Sequence, residues 1–205
     1  MPQPSSILIS GFEPFGGESI NPSDQVATAL ADQFHTITLP VCKDRAPALL
    51  LEHLHAVQPS RILMLGEAGG NAQVTLERYA RNYDDFRIPD HSGNQPRDTS
   101  IEPGAPDRYA STLPLDRIHD TLQQHHLPVQ FSNSAGAYVC NHLSYQLLHY
   151  IQEQQLRIEA GFIHLPYLPA QTVSKPANTP SLALADQTKA IQLAGRVLSP
   201  REPVD

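Results

Sequence analysis

The chain has 205 residues, 40% of them hydrophobic, and a net charge of −7, enough for one well-buried domain and short of two. No basic run exceeds two residues and no apolar run reaches membrane-spanning length, which argues against nucleic acid and membranes as partners. The opening M-P-Q-P-S-S-I-L-I-S lacks the basic and long apolar regions of a signal peptide, and two cysteines, Cys42 and Cys140, make no disulfide framework, so a reducing, cytoplasmic compartment is expected.

Residues 6–10 predict a first strand that runs into the glycine-punctuated loop G-F-E-P-F-G-G. Residues 22–32 have a helical pattern, with Asn21 or the loop before it as cap. A second strand is expected over 34–41, a leucine-spaced helix over 46–57, and a third strand over 61–65 that ends in G-E-A-G-G. This β-α-β-α-β order is the signature of a parallel sheet covered on both faces. Residues 74–84 mix apolar and polar side chains and read as an extended insertion or hairpin. Residues 87–107 carry Pro, Gly, Asn and Asp throughout and predict a long loop, of the kind that is functional or mobile in compact domains. The alternation resumes with a helix over 115–126, a strand over 129–132, a helix over 140–155 and a strand over 161–165. A helix over 181–198 closes the chain after a proline-rich loop. The expected fold is a single α/β domain over 1–205 with a mainly parallel twisted sheet. Ligands of such sheets bind beyond the carboxyl ends of the strands, so the loops 11–17, 66–70, 133–140 and 164–171 are expected to converge.

The chemistry points to residues 132–145, S-N-S-A-G-A-Y-V-C-N-H-L-S-Y. Small residues deliver Cys140 to the start of a helical segment, where the positive end of the helix dipole favours thiolate. A free cysteine is otherwise most often a small buried hydrophobe, and Cys42 is read that way. His164 closes the strand G-F-I-H-L and is the candidate base. His142 is a rival, but residues two apart on a helix face different ways; the remaining histidines lie in polar, surface-like segments. A third group must orient the base. Glu77 lies in an extended segment and on its own reads as an exposed carboxylate; Glu67, Asp84 and Asp85 are equally admissible, and the residues leave that choice open. Phe12 and Phe15 flank Glu13-Pro14 at the end of the first strand, either as core caps or as walls sandwiching a flat, uncharged ring. No phosphate motif accompanies Gly16-Gly17. A metal site would depend on histidines, and they show no H-x-x-x-H pair.

With these residues in view, the chain resembles the pyroglutamyl peptidase I family, also called pyrrolidone-carboxylate peptidases, over almost its whole length. The resemblance rests on ordered blocks: G-F-E-P-F-G-G at 11–17 followed by Asn21-Pro22, G-E-A-G-G at 66–70 and T-L-E-R at 75–78. R-I-P-D at 87–90 with G-N-Q-P at 93–96, V-C-N-H-L at 139–143 and F-I-H-L-P-Y-L-P-A-Q at 162–171 complete them. It implies a Cys–His–Glu triad at Cys140, His164 and Glu77, and a lactam pocket around Phe12, Phe15, Tyr138 and Val139. It also implies an α/β/α sandwich, a homodimer or homotetramer, no metal and no cofactor. The implied substrates are peptides blocked at the amino terminus by pyroglutamate, with Arg87 aiding the oxyanion. Three positions depart from the family pattern: Glu67 stands where Gln is common, Tyr138 where Phe is common, and Leu76 replaces a proline. Two other classes accommodate the same residues, a glutamine-amidotransferase-like cysteine amidohydrolase and a non-catalytic binder of blocked peptides.

Overall fold

A computed structural model describes residues 6–199; the first five residues, where the absence of a signal sequence was read, and residues 200–205 lie outside it. Strands β1 (Ile7–Phe12), β2 (His35–Leu39) and β3 (Arg61–Glu67) alternate with helices α1 (Pro22–Ala29) and α2 (Arg45–Val57). Asn21 starts α1, its Oδ1 accepting from the Ser23 N–H at 3.0 Å, and Pro22 occupies the first turn, where its missing N–H costs nothing. β1 and β3 pair in parallel through Leu8 opposite Ile62 and Ile9 opposite Leu63, and β2 lies on the other side of β1. The chain therefore winds outward in both directions from β1, leaving a crevice at the carboxyl ends of β1 and β3.

The second half adds β4 (Val74–Glu77), a two-stranded ribbon of β5 (Tyr79–Arg81) and β6 (Arg108–Ala110), α3 (Leu115–Gln124) and β7 (Val129–Ser132). It ends with α4 (Val139–Glu153), β8 (Glu159–Leu165), a short α5 (Pro169–Thr172) and α6 (Leu184–Leu198). The main sheet runs β2-β1-β3-β8-β4-β7. All its pairings are parallel except β4 with β8. The expected α/β sandwich with a mainly parallel sheet is what forms.

Two apolar layers hold it together. Ile7, Ile9, Leu63, Leu65 and Ile163 pack against Val26, Ile118 and Ile191 on α1, α3 and α6. Their neighbours Leu8, Ile62, Met64 and Phe162 face Leu50 of α2 and Leu143 of α4. Because both faces of β1, β3 and β8 are covered, their sequences are near-continuous apolar runs. Each such side chain contributes about 1.5–3 kcal/mol on burial, and truncating Leu63, wholly buried in β3, to alanine is expected to cost about 2–5 kcal/mol.

Two expectations need correction. Residues 74–84 are not an insertion: Val74 and Leu76 face the core, so β4 joins the main sheet, and only β5 leaves it to pair with β6. The closing helix begins at Leu184 instead of residue 181, since Ala183 is still extended at ψ 145°. Loop 87–107 is long, as expected, and is hydrogen-bonded to the rest of the fold at several points. The Asp90 carboxylate accepts from the N–H groups of Lys43, Ser92 and Asn94, and the Asn82 side chain brackets Glu102 and Ala105. Burial works against charge on Asp90, but those N–H groups outweigh it and hold its pKa below the usual carboxylate value.

Candidate active site

Three elements bring the reactive groups together. Cys140 sits in the first turn of α4, behind the extended Tyr138, which caps the helix without any side-chain hydrogen bond. The first N–H groups of the helix therefore keep their donor capacity for something beyond the helix. His164 is near the end of β8. Antiparallel pairing sets Thr75 opposite His164 and Glu77 opposite Phe162, so Glu77 is a diagonal neighbour of His164 on the same sheet face. Its Oε1 lies 2.8 Å from His164 Nδ1. Cys140 is the other neighbour of the imidazole, and its thiol favours the charged ring.

Both members of the His164–Glu77 pair are buried, so Glu77 is not the exposed carboxylate that its extended segment suggested. Glu77 Oε2 has no hydrogen-bond partner among the described residues, which leaves its charge answered by His164. Burial opposes protonation of His164, but the hydrogen bonds to Cys140 and Glu77 and their charges overcome it, raising its pKa to about 9. That shift favours the charged ring between Cys140 and the Glu77 carboxylate. Gly66 makes room for this arrangement: a Cβ there would lie 2.9 Å from the Cys140 sulfur and 2.7 Å from the Phe162 ring.

Beside the sulfur is a narrow apolar slot lined by Phe12, Phe15, Tyr138, Val139 and Cys140, with Asn21, Val41 and Glu67 completing it. Three of the four loops expected to converge line it, and the fourth, 164–171, reaches it through the Gln171 hydrogen bond to Glu67. Phe15 and Tyr138 lie 6.0 Å apart by ring centroid, and Phe86 packs edge-on against Tyr138 at 4.7 Å. The hydroxyl that Tyr138 adds donates to the Pro89 carbonyl at 3.1 Å, away from the slot. Burial, with the charges of Asp90 and Cys140, pushes its pKa up to about 12, so it stays neutral. Phe86 was not anticipated; a lone aromatic in a polar loop gives no local signal of where it packs.

The rival residues have other partners. His142 Nδ1 lies 2.7 Å from Asp84 Oδ2, both buried. Asp85 pairs with Arg97 at 3.5 Å. Glu67 accepts from Gln171 Nε2 at 2.7 Å, and that amide also reaches Glu18 Oε2 and the Ile20 carbonyl. Burial raises the Glu67 pKa; the Gln171 donor opposes this, Glu18 reinforces it and Lys175 offsets part of it. Arg87 is exposed beside Tyr138, and its guanidinium makes no hydrogen bond or ion pair among the described residues. Cys42 is buried with its sulfur 3.1 Å from Ser92 Oγ. The surface reading of the other histidines fails for His149, which is half-buried and bonds to the Tyr109 hydroxyl at 2.9 Å.

Comparison with known proteins shows the family. A family model described as pyroglutamyl peptidase matches residues 5–200. The chain is 44% identical over 197 residues to pyrrolidone-carboxylate peptidase 1 of Caldanaerobacter subterraneus, covering 94% of this chain and 97% of that protein. It is 40% identical to the pyrrolidone-carboxylate peptidase of Vibrio parahaemolyticus, covering 96% and 93%. Among solved structures, the pyrrolidone carboxyl peptidase of Thermococcus litoralis superposes with a TM-score of 0.90 at 38% identity, covering 97% of this chain and 99% of that one. Pyroglutamyl peptidase I of Bacillus amyloliquefaciens superposes at 0.88 and 40% identity, covering 92% and 93%.

Proposed function

The chain belongs to the pyroglutamyl peptidase family, and we propose that Cys140, His164 and Glu77 are its nucleophile, acid–base and orienting carboxylate. The protein is a cysteine peptidase that removes pyroglutamate from the amino terminus of peptides. One observation carries the residue roles: an imidazole held at 2.8 Å by a buried carboxylate and neighboured by the Cys140 thiol, which itself lines an apolar slot.

The pyroglutamyl head group is a neutral five-membered lactam with two flat faces and no ammonium. Phe12, Phe15, Tyr138 and Val139 offer it apolar walls, so ring recognition draws on aromatic contact and backbone hydrogen bonds. The Cys140 thiolate attacks the carbonyl carbon that joins pyroglutamate to the next residue. The N–H of Cys140, in the uncapped first turn of α4, meets the oxyanion, with Arg87 as a second donor from its loop. His164 passes its proton to the leaving nitrogen, the C–N bond breaks, and a pyroglutamyl thioester remains. Water, deprotonated by His164, then cleaves the thioester and restores the thiolate–imidazolium pair.

The same reading takes residues 1–205 as one domain acting in the cytoplasm as a homodimer or homotetramer. Two free cysteines suit a reducing compartment, and no described helix is long and apolar enough to cross a membrane.

The test is release of chromophore from a pyroglutamyl amide under reducing conditions, beside a free-glutamyl amide and a Cys140→Ala variant. Release from the pyroglutamyl substrate alone, lost in the variant, is the expected result. Substantial turnover by folded Cys140→Ala would remove Cys140 from its role.

A further inference from the structure

The lactam slot accounts for only one side of the scissile bond. Because His164 is the group that protonates the leaving nitrogen, the departing peptide must lie on the His164 side of Cys140. On that side an open groove of about 350 Å³ is floored by Thr75, Glu77, Gln130 and Ser132 on β4 and β7, with Ser134 and Gly136 as a wall. Ser134 is shared with a second and larger groove of about 640 Å³, lined by Arg81 and Arg108, cross-strand partners in the β5–β6 ribbon, with Asn82, Asp107 and Asn133. The direction follows from the strands: β4 runs from Thr75, level with His164, toward Glu77, and the chain then continues into Arg81.

Arg81 and Arg108 are exposed and make no ion pair or side-chain hydrogen bond among the described residues. They are positioned by aromatic rings instead. The Arg108 guanidinium carbon lies 4.4 Å from the centroid of Tyr79, and that of Arg81 lies 5.5 Å from Tyr83. Stacking of this kind orients a guanidinium while leaving its N–H fork available to a carboxylate. Two arginines and one carboxylate, Asp107, line the groove, with Asp85 and Asp98 beside Tyr83 at its edge.

Resting on the function proposed above, we propose that this groove is a subsite for the leaving peptide that binds a carboxylate, the free C-terminus of a short pyroglutamyl peptide or an acidic side chain near it. Fully extended chain spans about 3.3–3.6 Å per residue, so the six steps from Thr75 to Arg81 correspond to at most about 20 Å. The carboxylate is therefore recognised within about six residues of the scissile bond. Long substrates would gain only through an acidic side chain in that window.

The test is kcat/KM for pyroglutamyl peptides carrying one to six residues after the scissile bond, each as free acid and as C-terminal amide. The wild-type protein is expected to prefer the acid form by about fivefold at low salt at the best length, with the preference fading at high salt. In Arg81→Gln with Arg108→Gln the acid-to-amide ratio should fall to about one. Arg117→Gln, in a separate groove at the other end of the β5–β6 ribbon, should keep the wild-type ratio. An acid-to-amide ratio of one at every length, or a ratio that survives in the double variant, overturns the subsite. The chromogenic pyroglutamyl amide has no residue beyond the scissile bond. Failure to cleave it defeats the peptidase reading itself, whereas normal cleavage without a carboxylate preference defeats only the subsite.

Discussion

Two buried histidine–carboxylate pairs lie close together in this molecule, and they do different work. His164 with Glu77 and His142 with Asp84 have nearly the same separation, 2.8 and 2.7 Å, and the same burial. Each carboxylate keeps one oxygen without a partner among the described residues. The difference is what stands on the far side of the imidazole. His164 meets the Cys140 sulfur. His142 is two residues from that sulfur, but two residues turn a helix through about 200°, so its ring faces the segment that begins loop 87–107. There Asp84 is bridged to Thr99 by reciprocal backbone hydrogen bonds of 2.8 and 3.0 Å. Asn141 reinforces the same joint through the Arg81 and Tyr83 carbonyls. On the proposed roles, the first pair serves catalysis and the second fastens the start of the loop.

The sharpest way to separate the two pairs is to break each carboxylate–imidazole contact and read activity and stability together. Glu77→Gln is expected to lower kcat by about 10²–10⁴-fold with KM little changed, because the imidazolium loses the charge that orients and stabilises it. Wild-type kinetics in that variant would move the orienting role to another carboxylate. The pH profile sharpens the same point. His164 has its pKa raised above its ordinary value, to about 9, so its ion pair is fully present below the unfolded-state pKa near 6.5 and is lost as pH rises through 9. The kcat/KM of the wild type should fall on an alkaline limb near pH 9, and Glu77→Gln should move that limb downward.

His142→Ala should do the reverse. It leaves the buried Asp84 side chain without its His142 partner, at a cost of about 1–3 kcal/mol, read as a lower denaturation midpoint. The kcat of the folded fraction is expected to stay within about threefold of wild type, since the change lies outside the reacting groups. A loss of kcat comparable to that of Glu77→Gln would erase the distinction between the pairs. The smallest effect is expected at Glu67, whose carboxylate is already held by Gln171. Glu67→Gln should leave turnover equal or slightly higher, because it removes a partly buried acid from the slot. A severe loss would mean that Glu67 has a role of its own.

Legibility followed the range of the interactions. β1, β3 and β8 could be read from I-L-I-S, I-L-M-L and G-F-I-H-L because burial on both faces writes a continuous apolar run. The start of α1 was equally plain, since a cap is a contact between near neighbours, Asn21 and Ser23. Residues 74–84 were misjudged because β4 is only four residues long and takes its place in the sheet from β8, which lies far along the chain. Glu77 was one of four admissible carboxylates until a family likeness singled it out. Nothing local distinguishes it from Asp84, and its burial comes from the strands on either side.

By itself, then, the sequence determined the α/β alternation, the helix start that presents Cys140 and the histidine that closes β8, since short-range patterning and capping set all three. Only the tertiary structure decided which carboxylate meets which histidine, that Tyr138 turns its hydroxyl out of the slot, and that Arg81 and Arg108 share a groove with Ser134. Those outcomes depend on strand register and loop anchoring between residues distant in the chain, where a shift of one residue sends a side chain to the opposite face of its sheet.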